Sequence, residues 1–314
     1  MFTLFFTADI LGSAQCWKKL INAAELFKVD ALIVSGNLIG TGLQPIVREG
    51  NDTWRTVLEA TPVRVKGSGE ISALEKKIRT MGRHPCRVSP EEDRELEQSP
   101  ALRQKRFEEE ARLTLGRWLD LAERKLKKSG RRLVIMPGDD DPLFVDEIIR
   151  DSSAAEWADG NIISLTPTHK LISQRACRSS GLDDARRFTE EELFQHLQDR
   201  VHNLDDVYNT IFNIQLPPLD AALTNAPCLN CAGAKGSRTK DPIPPGCAAV
   251  RRFIETYQPL LSVHGYTHGQ DNKFTHIGRT LCCVPGRGHL EGVLSGFLIT
   301  LQKSKILDFQ PIQG

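Results

Sequence analysis

The chain has 314 residues, 40% of them hydrophobic, enough to bury a real core in one large domain or in two. Its 41 lysines and arginines face 40 aspartates and glutamates, a net charge of +1, which removes any bulk attraction to nucleic acid or to an anionic membrane. No apolar stretch approaches the roughly 18 residues of a membrane-spanning helix, and the eight cysteines, with no secretory signal ahead of them, predict free thiols and a cytoplasmic protein.

Residues 2 to 8 read as a buried strand, because no basic segment precedes them and Asp9 arrives too early for a signal-peptide core. Residues 14 to 28 put Trp17, Leu20, Ile21, Ala24 and Phe27 on one helical face, and residues 30 to 37 form a second strand ending in a Gly-bounded loop. This is a βαβ unit, with its polar residues at the carboxyl ends of the strands, where open α/β sheets place their sites. Residues 41 to 100 carry scattered Pro and Gly and a charged run from Pro90 to Glu97, and they read as an irregular insertion on the first crossover. A long amphipathic helix follows, in which Phe107, Ala111, Leu115, Trp118, Leu119, Ala122 and Leu126 recur at three- and four-residue steps before Ser129-Gly130. The insertion then spans 41–130 of a single domain, 1–314.

Residues 131 to 138 predict a third strand running into Asp139-Asp140-Asp141-Pro142, with a short helix over 143–150. Two short strands are expected within 161–177, and a helix over 189–203 opened by Thr189-Glu190-Glu191-Glu192, whose Thr and third Glu suit a capping box. A strand over 208–216 ends at Pro217-Pro218. Residues 224 to 247 lack periodicity and read as an exposed, mobile loop. A helix over 247–257, a strand near 260–263, the loop His264-Gly265-Tyr266-Thr267-His268 and closing strands at 274–277, 280–284, 296–301 and 306–309 complete the chain.

Three local features have plain explanations beside functional ones. Cys228-Leu229-Asn230-Cys231 has the gap of a zinc knuckle and Cys247 lies downstream, but no second pair follows, so incidental thiols are the simpler reading. The basic run from Lys125 to Arg132 suits phosphate or an acidic partner, yet cations at a helix C-terminus are favourable for dipole reasons alone. Lys235 to Lys240 has no interleaved aromatics, so there is no strong nucleic-acid signal.

The order of strand, Asp9-Ile10-Leu11-Gly12; strand, Gly36-Asn37-Leu38-Ile39-Gly40; strand, Gly138-Asp139-Asp140-Asp141; strand, Gln215; strand, His264 to His268 resembles the calcineurin-like metallophosphoesterases, closest to bacterial members with a large helical insertion after the second strand. The resemblance covers nearly the whole chain. It implies an α/β fold, a four-layer α/β/β/α sandwich with mixed sheets, and a site at the strand ends. There, carboxylates and imidazoles would hold two cations roughly 3.5 to 4 Å apart, with a bound hydroxide attacking phosphorus.

Carried over position by position, the resemblance also implies damage. Asp9 matches the first-metal carboxylate, Leu11 stands in place of a histidine ligand and Asn37 in place of the bridging aspartate. Asp139 stands where an asparagine binds the second metal, Asp140 where a residue assists the leaving group, and Asp141 where an aspartate orients it. Gln215 and Tyr266 occupy two further histidine positions, while His268 keeps its own. The residual ligand set is Asp9, Asn37, Asp139 and His268, too poor for two ions. Arg287, in Gly286-Arg287-Gly288-His289, could touch an anion or lie on the surface, and His264 reads most simply as a hydrogen-bonded loop histidine.

The leading expectation is a catalytically inactive or impaired metallophosphoesterase-like protein, with no cofactor, acting as a scaffold for protein partners. Its docking surfaces would be the 41–100 insertion, the 101–129 helix or the 224–247 loop. A second expectation is a phosphoesterase acting on a phosphomonoester, phosphodiester or nucleotide with a single divalent cation (Mn, Mg or Ca), in which Asp140, Asp141 and His264 would be catalytic. A third is a sensor of a small phosphorylated ligand or nucleotide.

Overall fold

A computed structural model describes residues 1–40, 42–178, 187–202, 204–220, 222–223, 246–265 and 269–314. In chain order it contains β1 (Phe2–Ala8), α1 (Ala14–Leu26), β2 (Ala31–Gly36), β3 (Gly42–Arg48), β4 (Thr53–Leu58), β5 (Thr61–Lys66), α2 (Gly67–Thr80), β6 (Arg83–Val88), α3 (Pro90–Gln98), α4 (Pro100–Leu126) and β7 (Arg132–Pro137). Next come α5 (Leu143–Arg150), β8 (Glu156–Trp157), β9 (Ile162–Ser164), β10 (Lys170–Gln174), β11 (Cys177–Arg178), β12 (Arg187–Phe188), α6 (Glu190–Val201) and β13 (Ile211–Ile214). The chain ends with α7 (Ala248–Tyr257), β14 (Leu261–Val263), β15 (Lys273–Ile277), β16 (Thr280–Val284), β17 (Ser295–Gln302) and β18 (Lys305–Gln313).

Two mixed six-stranded sheets stack face to face, in the orders β18-β17-β1-β2-β7-β8 and β15-β16-β14-β13-β10-β9. Their inner faces are apolar by simple alternation. On β1, Phe2, Leu4, Phe6 and Ala8 enter the core between the sheets, where they meet Leu171, Ile211, Leu261 and Cys283, while Phe5 points outward to the helices. The adjacent Cys282 and Cys283 divide in the same way, one to each face of β16. α1, α4 and α5 cover the outer face of the first sheet, and α6 and α7 that of the second. The layers are therefore α/β/β/α, and each fully buried Leu or Phe side chain adds roughly 1.5–3 kcal/mol to their cohesion.

The helices follow the sequence pattern closely. All seven periodic residues of α4, from Phe107 to Leu126, are buried; Ser99 caps its N-terminus and Gly130 ends the following turn in a left-handed conformation. Thr189 and Glu192 form a reciprocal capping box on α6.

The segment read as irregular, 41–100, is folded. β5, β4, β3 and β6 form a separate four-stranded sheet in that order. One face carries its own small core of Ile46, Leu58, Ile71, Leu74, Ile78 and Met81 under α2. On the other face Leu43, Val47, Cys86 and Val88 join Leu96 of α3 and Phe107 and Ala111 of α4 in the main helical core. The insertion leaves the large sheet between β2 and β7, on the second crossover and not the first. Among the described residues no helix is long and apolar enough to cross a membrane. The 224–247 segment lies largely outside the described residues.

A cleft of paired amides and acids

The carboxyl ends of β1, β2, β7, β13 and β14 converge on one cleft. The β1–β2 ladder continues into the loops: Asp9 N donates to Ser35 O, Leu11 N to Asn37 O and Gly12 N to Leu38 O. Asp9 and Leu11 both adopt φ of 51°, a left-handed conformation that a bulky leucine rarely takes, so this loop stores strain. Asn37 N donates to Asp9 Oδ1 at 3.1 Å, which fixes the carboxylate against the second loop.

The third loop is tied to the second by Asp141. Its carboxylate is 2% exposed and accepts from Leu38 N at 3.0 and 2.9 Å, Ile39 N at 3.1 Å and Gly138 N at 2.9 Å. Burial pushes its carboxyl up to about 7, against the pull of those three N–H groups and of Arg175. Asp141 is thus neither a solvated loop acid nor a helix cap: Pro142 precedes α5 and no side chain caps that helix.

Asn37 and Asp140 form a two-way pair across the cleft. Asp140 N donates to Asn37 Oδ1 at 2.9 Å, and Asn37 Nδ2 donates to Asp140 Oδ2 at 3.3 Å. Asp140 is exposed at the cleft rim, yet its carboxyl is drawn up to about 6, first by partial loss of water and then by the like charges of Asp139 and Asp9. A Cβ at Gly138 would overlap Asn37 Oδ1, so this position must stay glycine for the pair to form.

Gln215 makes the matching contact on the other side. Its side chain is fully buried, and Nε2 donates to Asp139 Oδ1 at 2.6 Å. Its backbone is held on both sides, N donating to Gln174 O and O accepting from Gly265 N, each at 3.1 Å. The structure therefore brings Asp9, Asn37, Asp139, Asp140, Asp141 and Gln215 together as the sequence order implied. Tyr266 and His268 lie outside the described residues.

His264 has no free nitrogen for substrate. Nδ1 sits 2.9 Å from Ile214 O and 3.0 Å from Leu216 O, so it carries the proton, and Nε2 accepts from Ser262 Oγ at 2.9 Å. The ring is fully buried, which holds its pKa down to about 4. A neutral imidazole with both nitrogens engaged is a structural strut, and an acid or base role in the cleft does not fit it.

Arg175 was not foreseen from the sequence. It is 6% exposed and grips Asp146 of α5 through two bonds of 2.9 and 2.8 Å, with Asp159 3.2 Å away. Two acids neutralise the one guanidinium through its Nη atoms, while its Nε is buried without a partner, and its charge acts on Asp141. Only the run of short strands around it could have hinted at a residue facing inward.

The insertion is keyed into the same loops. A Cβ at Gly82, between α2 and β6, would overlap the Leu11 carbonyl oxygen, while Gly12 and Gly40 pack on the Gly82 carbonyl from the other side. Ser13 Oγ donates to Thr80 O at 2.7 Å while capping α1, and His84 Nε2 meets Ile39 O at 2.7 Å.

Two stacked mixed sheets between helical layers, with the loops of one cleft at their strand ends, make this a metallophosphoesterase-like α/β sandwich. A solved crystal structure aligns over 98% of this chain and 98% of its own, with a TM-score of 0.55 and 14% identity. TT1561 of Thermus thermophilus aligns over the same shares, with a TM-score of 0.52 and 13% identity. A hypothetical protein from Thermus thermophilus covers 99% of this chain and 98% of its own, at a TM-score of 0.46 and 9% identity. No protein-family model and no curated protein matches the chain.

The divalent metals that this fold usually binds can be tested against the residues present. Leu11 has no donor atom, and the Asn37 and Gln215 side chains turn N–H groups, not lone pairs, toward Asp140 and Asp139. Among the described residues no group of three His, Cys, Asp or Glu side chains is arranged to hold a metal. A two-metal donor set does not fit these residues. Cys247 contacts Glu190 Oε2 through Sγ at 3.0 Å; Cys228 and Cys231 lie outside the described residues. Cys16, Cys86, Cys282 and Cys283 are free and buried, and burial drives the Cys282 thiol up to about 12.

Proposed function

We propose that this chain is a catalytically silent metallophosphoesterase-like protein that serves as an interaction or scaffold subunit of a larger assembly. The observation that carries the reading is the pair of bonds Asn37 Nδ2 to Asp140 and Gln215 Nε2 to Asp139. Each puts an amide N–H against a carboxylate oxygen in a position where a metal ligand would turn a lone pair inward, so the two side chains are committed to hydrogen bonds with the acids. His264 as a buried strut and Asp141 as a loop tie support the same reading, because both are committed to the fold.

The candidate docking surfaces remain the 41–100 insertion, the 101–129 helix and the 224–247 loop. The second face of α4 is charged and internally paired, as in Arg106 with Glu109 at 3.1 Å and Lys127 with Glu123 at 3.0 Å. That face has little apolar area to offer a partner beyond Leu102 and Leu113.

Elemental analysis of protein purified without added metal, followed by turnover of a generic phosphodiester with Mn²⁺, tests the catalytic half. Near-stoichiometric tight metal with turnover abolished by Asp9→Ala would replace this reading with single-metal hydrolysis. Pull-down from the native cell tests the other half, and repeated recovery of the chain alone would defeat it. A thermal-shift screen of nucleotides separates the sensor reading, which a flat response removes.

A further inference from the structure

The four-stranded sheet of the insertion is covered along one face and only half covered along the other. α2 lies on the first face over the small core of Ile46 and Leu58. On the second face α3 and α4 pack against β3 and β6, where Leu43, Val47, Cys86 and Val88 are buried. The outer strand pair continues that face without a cover. In the β4–β5 hairpin Arg55 stands opposite Arg64, Val57 opposite Pro62 and Thr53 opposite Lys66, so these six side chains share one face. Arg55, Pro62, Arg64 and Lys66 are exposed, and Val57 is 49% exposed.

The bare strip has the width of one helix. Neighbouring strands lie about 4.8 Å apart and packed helices about 8–10 Å apart, so one helix covers about two strands. Between the start of α3 and the bare strands runs an open groove of about 510 Å³, with Val47, Glu49, Thr53, Arg55, Arg64 and Pro90 in its walls. Its charges are unevenly met. Arg55 and Arg64 are a like-charge pair directly across the hairpin, an arrangement that costs stability. They share Glu49, at 3.3 Å from Arg55 Nε and 2.6 Å from Arg64 Nε, and Asp93 of α3 comes no closer to Arg55 than 4.0 Å. The two arginine side chains remain 48% and 71% exposed, and Lys66 adds a third cation to the same face.

We propose that the bare β4–β5 face is the docking site for an acidic amphipathic helix of a partner protein, laid beside α3 so that the helical layer continues across the sheet. α3 shows the geometry on the same face, an acidic helix that buries Leu96 and brings Asp93 toward Arg55. The incoming helix sets its apolar stripe over Val57 and Pro62 and its carboxylates against Arg64 and Lys66. A nucleic-acid backbone has no apolar counterpart for Val57 and Pro62, and it would meet the Glu49 and Asp93 carboxylates. The edge itself is closed to an added strand, because Pro62 has no N–H and Lys66 N donates to Glu70 Oε2 at 2.8 Å. The inference rests on the scaffold reading and adds to it the surface and the chemistry of the partner.

A photo-crosslinking phenylalanine derivative placed at Val57 of the full chain in its native cell, with the crosslinked peptide sequenced by mass spectrometry, tests it. The expected product is an acidic segment of another protein with helical apolar spacing. A synthetic peptide of that segment should bind the purified chain and lose roughly tenfold in affinity in Arg64→Glu, where an attraction becomes a repulsion. Lys66→Glu, which leaves the Glu49 contacts in place, should weaken binding as well, and Arg150→Gln on α5 should not. Lysines in place of the peptide's acids should restore affinity for Arg64→Glu. No crosslink, a crosslink to a second copy of this chain, to RNA or to a segment without acids, or wild-type affinity in both Arg64→Glu and Lys66→Glu overturns the assignment. Partners pulled down equally by the wild type and by the double variant Arg64→Glu with Lys66→Glu would remove this surface and leave the scaffold reading standing.

Discussion

Asn37→Asp places a second carboxylate oxygen where Nδ2 now donates to Asp140 Oδ2 across 3.3 Å. Two losses combine. The bond to a charged acceptor contributes roughly 1.5–3 kcal/mol, and two like charges near 4 Å repel by between about 1 kcal/mol in water and about 4 kcal/mol near a protein surface. Asp140 is open to water at the rim, so the repulsion belongs at the low end, and the sum is about 3 kcal/mol. Urea unfolding at pH 8 should show this as a fall in midpoint at constant slope. The double variant Asn37→Asp with Asp140→Asn restores one donor facing one carboxylate and should recover most of the loss, a coupling that a double-mutant cycle reads directly. If Asn37→Asp is as stable as the wild type without added metal, or the double variant is no better than the single one, Asn37 is not committed to its hydrogen bond with Asp140.

Three further outcomes are expected. His264 is neutral in the folded chain down to about pH 4, whereas it protonates near 6.5 once unfolded, so the unfolded state binds the extra proton and stability falls as pH drops from 6.5 toward 4. His264→Gln should flatten that slope, removing up to about 3 kcal/mol of pH dependence, as measured by denaturation at pH 7 and pH 4.5. Asp141→Asn turns an NH₂ group toward at least one of the N–H donors of Leu38, Ile39 and Gly138 and should cost about 1–3 kcal/mol, visible in thermal unfolding. Gly82→Ala combines a φ of 78° with an overlap on the Leu11 carbonyl, so it should destabilise by more than about 1 kcal/mol and broaden cleft-loop resonances in NMR.

Much of the sandwich was legible because its signals are local. The buried face of α4, the capping box of α6 and the strands ending at Asp9, Asn37 and Asp139 each rest on spacing within one segment. The insertion sheet was not legible because its strands are broken by Pro45, Pro62 and Pro85. β3 tolerates Pro45 because only Val47 and Arg48 pair with β4, which leaves Pro45 beyond that ladder. In the cleft, the loss of ligand types could be read from single positions. What replaced them could not: the bonds from Gln215 to Asp139 and from Asn37 to Asp140 join residues 76 and 103 positions apart. The hydrogen-bonded role of His264 was legible, but its partners were not, since the two carbonyls lie 50 and 48 residues upstream.

The seat of Gly82 on Leu11 has a consequence for any attempt to shorten the chain. Removing 42–98 to reach a minimal two-sheet body would strip the surface on which the strained Asp9–Leu11 turn rests, together with the Thr80 and His84 contacts that brace Ser13 and Ile39. The insertion is in this sense a keystone, and the cleft loops would lose their shape before the sheets lost theirs.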